Sequence, residues 1–188
     1  VFLNTEDRGL FQYQHSIKQW KKIILPYYNQ IKGSLLKITS IDPNKILLCS
    51  TIGVFEYSIL TGEIKTKFNS LNKEYGTLGV TDIYLTKNND WLIATGNNGL
   101  FTVKSNGTIF SSSEDIFQKN ALINNKINVL FKDNYGTFWL GTNRGLSSFN
   151  PLNQGFLGIG PTGNLEHGIP TPSVWTFGED KESKNLFI

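Results

Sequence analysis

An internal repeat of about 45 residues constrains this chain more than any other feature, because a fixed period of that length dictates a tandem architecture. The clearest copy is Thr137-Phe138-Trp139-Leu140-Gly141-Thr142-Asn143-Arg144-Gly145-Leu146, and Asp90-Trp91-Leu92-Ile93-Ala94-Thr95-Gly96-Asn97-Asn98-Gly99-Leu100-Phe101 aligns with it. Weaker copies are Phe2-Leu3-Asn4-Thr5-Glu6-Asp7-Arg8-Gly9-Leu10-Phe11 and Leu48-Cys49-Ser50-Thr51-Ile52-Gly53-Val54-Phe55. Gly9, Gly53, Gly99 and Gly145 stand 44, 46 and 46 residues apart, and Thr5, Thr51, Thr95 and Thr142 stand 46, 44 and 47 apart. Two independent markers keep one period.

Each repeat reads as four short strands rich in β-branched and aromatic residues. In one they are Val80 to Thr86, Trp91 to Thr95, Leu100 to Ser105 and Thr108 to Ser112. Lys87-Asn88-Asn89-Asp90, Gly96-Asn97-Asn98-Gly99 and Asn106-Gly107 separate them and supply the positive-φ residues that hairpin turns need. The next repeat follows the same order with Ile127 to Asp133, Thr137 to Thr142 and Leu146 to Asn150. Further first strands are expected near Leu35 to Ile41 and at Ser173 to Glu179, and no stretch holds an amphipathic helical period. The expected fold is therefore all-β, a β-propeller of four-stranded antiparallel blades. Its units are about 1–33, 34–79, 80–126 and 127–172, with a partial unit 173–188. Trp91, Trp139, Phe2, Leu48 and Phe187 are aligned at one second-strand position and expected between neighbouring blades, each contributing about 1.5 to 3 kcal/mol of burial. Val1-Phe2-Leu3 and Leu186-Phe187-Ile188 read as the same strand of the repeat, so the segment is expected to belong to a larger ring. With no Met and no signal-like start, it is expected to be excised from a longer polypeptide.

Composition narrows the function classes. At 39% hydrophobic and 18% charged the chain has the balance of a folded domain, not a disordered one. Its apolar runs, such as Ile23 to Leu25 and Ile46 to Cys49, fall far short of the roughly 20 residues that cross a bilayer. The net charge is +3, but all except Arg8 and Arg144 of the 18 basic residues are lysines interleaved with acids. That pattern lacks the clustered stripe of a nucleic-acid binder. The single Cys49 excludes an internal disulfide and a Cys-rich zinc site, and is expected as a buried strand thiol.

The third full copy, Ile127-Asn128-Val129-Leu130-Phe131-Lys132-Asp133-Asn134-Tyr135-Gly136-Thr137-Phe138-Trp139-Leu140-Gly141-Thr142-Asn143-Arg144-Gly145-Leu146-Ser147-Ser148-Phe149-Asn150-Pro151, resembles the two-component regulator propeller repeat. That pattern runs first strand, Asp-x-x-Gly, Trp-Ile/Leu-Gly-Thr, a short turn, Gly-Leu and an aromatic before Asn/Asp-Pro. Val174-Trp175-Thr176-Phe177-Gly178-Glu179-Asp180 resembles the start of another copy. Departures are Lys87-Asn88-Asn89-Asp90 and Asp42-Pro43-Asn44-Lys45 in place of Asp-x-x-Gly, and a longer turn after Asp180. The resemblance implies a periplasmic sensor segment of a membrane-anchored hybrid histidine kinase of Bacteroidetes type, detecting oligosaccharides without catalysis and without a cofactor. It also implies, as partners, the remaining blades of the parent chain; a homodimer is left open, and no nucleic-acid partner is expected.

Motifs with possible chemistry were weighed against ordinary structure. Gly158-Ile159-Gly160-Pro161-Thr162-Gly163 matches a dinucleotide fingerprint formally, but Pro161 and the prolines after it cannot open the helix that would receive a pyrophosphate, so a long interblade loop is expected. Lys32-Gly33-Ser34 lacks the upstream glycine of a phosphate loop. His15 and His167 have no partner at metal-ligand spacing. Glu6-Asp7, Glu114-Asp115 and Glu179-Asp180 would serve a glycosidase only at a defined carboxyl separation. A sugar site needs aromatic faces beside amide and hydroxyl groups. The rim carrying the second-to-third strand turns offers Arg8, Asn97, Asn98, Asn143 and Arg144, with Tyr27, Tyr28 and Tyr75. The rival readings are a propeller polysaccharide lyase or hydrolase and a protein-interaction propeller.

Overall fold

The computed structural model describes residues 1–5, 9–24, 35–151, 155–162, 166 and 168–188. They fall into two compact units, Val1–Val80 and Thr81–Ile188. In the first, β1 (Phe2–Thr5), β2 (Gly9–Gln14) and β3 (Gln19–Ile23) form a three-stranded antiparallel sheet. A four-stranded sheet follows in simple order: β4 (Leu35–Asp42), β5 (Lys45–Ser50), β6 (Gly53–Ser58) and β7 (Ile64–Lys67). Leu10 and Ile23 of one sheet pack against Ile46, Leu48, Phe55 and Tyr57 of the other, with Phe2 edge-on to Tyr57 at 6.3 Å.

The second unit holds the sheet β8 (Val80–Leu85), β9 (Trp91–Thr95), β10 (Leu100–Val103), β11 (Ile109–Ser112) and the sheet β12 (Ile127–Lys132), β13 (Phe138–Thr142), β14 (Gly145–Phe149), β15 (Leu157–Ile159). A short pair, β16 (Gly178–Glu179) and β17 (Leu186–Phe187), follows. Leu92, Ala94 and Leu100 bury against Ile127, Leu130, Phe138 and Leu140. Backbone-directed bonds run from each first strand to the next repeat: Thr81 Oγ1 donates to the Ile127 carbonyl at 2.8 Å, and Asn128 Nδ2 donates to the Val174 carbonyl at 3.0 Å, although of the strand expected at Ser173 to Glu179 only Gly178–Glu179 pairs. The buried Asp82 carboxylate accepts from the Leu130 amide at 3.1 Å, satisfying a donor that would otherwise be stranded away from water. These meanders, stacked in pairs within each unit through their apolar faces, are propeller-type blades, as the repeat predicts.

The second strands share one design. A hydroxyl closes each: Thr5, Ser50, Thr95 and Thr142 donate to the carbonyls of Gly9, Gly53, Gly99 and Gly145 at 3.2, 2.9, 2.7 and 2.7 Å. The first sheet's partner in this pattern is thus Ser50 in the second, and Thr51, the residue aligned from sequence, lies exposed in the turn. Gly145, at φ +127°, must be glycine, because a Cβ there would collide with the Ile159 carbonyl. Just before the hydroxyl stand small residues, the buried Cys49, Ala94 and Gly141. A Cβ on Gly141 would meet Val129 and Val174, so the next blade closes down on this point.

Counting back from the hydroxyls corrects the expected alignment. Phe2, Leu47, Leu92 and Trp139 are equivalent, whereas Leu48 and Trp91 point to the opposite face, since a one-residue slip inverts a strand. Leu92, not Trp91, faces the fourth sheet. Trp139 packs half-buried against the cluster of Leu146, Ile169 and Val174, and Phe187 is 60% exposed, so the five residues do not form one equally buried set.

Two further expectations are corrected. Asn69–Tyr75 forms a helix, α1, following Phe68 at φ +60°; with seven residues and only Leu71 buried, it is too short to display a helical period. Leu157–Ile159 is the fourth strand β15, so Gly158 and Ile159, read as interblade loop, pair with Ser147 and Leu146. Two glycines around one isoleucine carry no alternating pattern that would mark them as a strand.

Candidate ligand-binding rim

The hydroxyl latches that close the second strands also set the rim residues. Thr95 Oγ1 accepts from the Asn98 amide at 2.9 Å and Thr142 Oγ1 from the Arg144 amide at 3.1 Å. The same atoms that end the strand therefore fix where the turn side chains leave the blade. Asn97, Asn98 and Arg144 are exposed there.

The connection from β11 to β12 runs along this rim and is held by its own polar side chains. Asn125 Oδ1 accepts from the Glu114 amide at 2.7 Å, and Asn124 Nδ2 donates to Glu114 Oε2 at 2.9 Å. Asp115 Oδ1 accepts from the Phe117 amide at 2.9 Å, and Ser147 Oγ of β14 accepts from the Ile123 amide at 3.0 Å. The loop and the β13–β14 turn enclose a concavity of about 370 Å³. Arg144, Glu114, Asp115, Gln118 and Lys119 surround it, over Leu122 and Ile123. Ile116 at its edge and Phe117 beside it are 87% and 90% exposed. Because Glu114 and Asp115 are engaged with Asn124 and the loop backbone, they act first as loop-shaping groups.

Of the residues expected on the rim, Arg144 lines this concavity. Asn143 is half-buried instead: its Oδ1 accepts from Asn128 Nδ2 at 2.8 Å, in the network that reaches Val174. Asn97 and Asn98 lie on the β9–β10 turn outside the lining, and Tyr75 closes α1 in the first unit. Arg8, Tyr27 and Tyr28 lie outside the described residues, as do Lys32-Gly33-Ser34 and His167. No sequence motif marks Gln118 and Lys119, and the sequence offers Glu114 and Asp115 only as an acidic pair. The readable signal was their place in a connection on the Arg144 side of the blade.

No group of three His, Cys, Asp or Glu that could hold a metal occurs among the described residues. His15 is exposed and stands edge-on to Tyr13 at 4.9 Å. Among the described residues no helix is long and apolar enough to cross a membrane.

The fold and the latched turns define a tandem array of propeller-type blades. Residues 121–144, from the end of the rim loop through β12 and β13 to Arg144, match the family described as two-component regulator propeller. The resemblance seen in the sequence therefore holds for the repeat that carries the rim concavity. Among solved structures, the chain is similar to the extracellular domain of the candidate hybrid two-component system BT3049 from Bacteroides thetaiotaomicron. There the TM-score is 0.65 at 16% identity, over 98% of this chain and 30% of that one. The extracellular domain of the candidate hybrid system BT4673 from the same organism gives 0.53 at 18% identity, again over 98% and 30%. A protein of unknown function from that organism gives 0.58 at 15% identity, over 92% and 49%. At these identities the likeness is one of fold, and the chain spans about 30% of the length of the first two. No curated protein matches the sequence.

Proposed function

We propose that this chain is a non-catalytic, ligand-sensing propeller segment of an extracytoplasmic two-component regulator, and that it recognises oligosaccharides at the Arg144 rim. The observation that carries this reading is the concavity joining Arg144 to the 114–123 loop, in the repeat that matches the regulator propeller family. An extracytoplasmic setting is supported by the similar extracellular domains of two-component systems. On this reading the parent is a membrane-anchored hybrid histidine kinase, its remaining blades are the segment's neighbours, and light scattering decides whether the assembly is a homodimer. Arg144 would supply a fixed fork of donors to sugar hydroxyls or a carboxylate, and Gln118 both a donor and an acceptor.

The test is calorimetric titration of the 188-residue chain with a panel of plant and host oligosaccharides, with product chromatography on the same mixtures. At least one oligosaccharide should bind saturably, about tenfold more weakly to Arg144→Ala, a loss near 1.4 kcal/mol, and none should be cleaved. Cleavage abolished by Glu114→Gln or Asp115→Asn would replace the sensor with an enzyme, and the absence of any binding would remove the glycan. A second reading, a protein-interaction propeller, is favoured by Ile116 and Phe117, an apolar pair standing in solvent at the edge of the concavity.

A further inference from the structure

We propose that a second site, separate from the rim, takes one small neutral planar ring compound of the phenol or indole class. It lies between the outer strands of the third sheet and the residues Phe149, Pro151, Gly155 and Phe156, and has a volume of about 270 Å³. One wall is the end of an aromatic ladder. Tyr84 meets Phe138 at 5.1 Å, Phe138 stacks on Phe149 at 5.2 Å with 16° between planes, and Phe149 meets Phe156 at 5.1 Å. Phe149 and Phe156 reach the cleft, and among the described residues no further ring stacks on Phe156 there.

The facing wall explains what could continue it. Phe110 lies on the face of β11 that looks toward this cleft, paired across β10 with Thr102, yet it is 55% exposed. Its ring is therefore presented rather than packed, above a floor of the buried Leu92 and Leu100. Aromatic rings prefer offset or edge-on neighbours at roughly 4.5–7 Å between centroids. A flat guest between Phe110 and Phe156 would extend the ladder in that geometry. An apolar cavity of about 150 Å³ already accepts benzene, so this cleft suits one ring or a fused pair and is too small for an oligosaccharide.

Polar groups set the guest's charge. Lys104 Nζ bonds Asp90 Oδ2 at 2.9 Å, and Asp90 Oδ1 accepts from the Ser105 amide at 3.1 Å, so the one ion pair at the cleft is satisfied internally and selects against a charged guest. The hydroxyls of Thr102 and Ser112 sit on the same face as Phe110 and have no protein partner among the described residues. They can receive the O–H of a phenol or the N–H of an indole.

The experiment titrates the full 188-residue chain into 4-fluorophenol and, separately, 5-fluoroindole, and follows the ligand by fluorine NMR. Saturable shifts are expected for at least one probe, with binding about tenfold weaker in Ser112→Leu, which fills the cleft, and weaker in Phe110→Ala. Phe110→Ala changes an exposed ring, so it keeps the test open if Ser112→Leu does not fold. Arg144→Ala should bind the probe like the wild type, which separates this site from the rim. No saturable shift up to about 10 mM, weaker than any specific small site, overturns the proposal; so does binding that both cleft variants leave unchanged, or that Arg144→Ala abolishes.

Discussion

The second sheet, β4–β7, and the fourth, β12–β15, close on the same hydroxyl latch but tie their strands together differently. In the second, Glu56 on β6 lies between Lys45 of β5 and Lys67 of β7, with both Nζ–Oε distances 3.1 Å. In the fourth, Asp133 does the tying from the turn. Its Oδ1 accepts the Tyr135 and Thr137 amides at 2.9 and 2.8 Å, and its Oδ2 accepts the Trp139 indole N–H at 2.8 Å. The second sheet's turn carboxylate, Asp42, receives the Asn44 amide at 2.7 Å. The comparison teaches which parts of the repeat are obligatory. The latch recurs in all four sheets because the strand end demands it, the residue before it is small in three of them and Asn4 in the first, and the means of joining outer strands is free to vary.

The largest effect is expected where the two sheets obey the same demand. Gly141→Val would push a branched side chain into Val129 and Val174 and should cost about 2–3 kcal/mol, in the range of core overpacking. Cys49→Ala, at the equivalent buried point, removes only one atom beyond Cβ and should cost about 1 kcal/mol. Urea titrations of both variants check this. Equal and small losses would show that the blade-to-blade approach at Gly141 is not tight.

The next effect isolates the fourth sheet's own device. Trp139→Phe keeps an aromatic ring against the cluster of Leu146, Ile169 and Val174 but deletes the indole donor to Asp133. A loss of about 1–1.5 kcal/mol is expected for the bond, and Trp139→Ala should add the lost burial, on the order of 1–2 kcal/mol more for a half-buried ring. If Trp139→Phe matches the wild type in the same titration, the indole–carboxylate bond carries no net stability and the comparison rests on packing alone.

What the sequence made legible follows the same division. The period, the hairpins and the all-β class could be read because positive-φ glycines and the terminal hydroxyls are fixed by backbone geometry. The face of each aromatic was misread although its parity was available: Trp91 stands four residues before its threonine and Trp139 three, so the two cannot share a face. Arg144 was readable because it sits in the short turn that the Thr142 latch closes, two residues after the threonine. Glu114, Asp115, Gln118 and Lys119 were not, since the β11–β12 connection repeats nowhere else and its shape comes from side-chain bonds such as Asn124 to Glu114. The Phe110 cleft was hidden for a related reason, because exposure of a strand aromatic depends on how far the next blade reaches.

The smallest effect belongs to the second sheet's ion triad, and its pH dependence identifies it. Burial acts to raise the Glu56 pKa, but hydrogen bonds and charge from Lys67 and Lys45 outweigh it and hold the group below its ordinary 4.5. A carboxylate depressed in the folded state stabilises above its unfolded pKa, and that contribution is lost as pH falls through the folded value. On the alkaline side, hydrogen bonding and charge from Glu56 raise Lys45 above 10.5, so its share is complete below that pH and lost as pH rises through the raised value. Glu56→Gln keeps the shape and removes the charge. The difference in urea midpoint between wild type and Glu56→Gln should therefore be flat between pH 4.5 and 10.5 and shrink on both sides. With the Glu56 side chain 22% exposed, the plateau should be no more than about 0.5–1 kcal/mol after solvent screening, and smaller in high salt. A pH-independent difference would mean that Glu56 acts through packing alone, and that the two sheets differ less in chemistry than their side chains suggest.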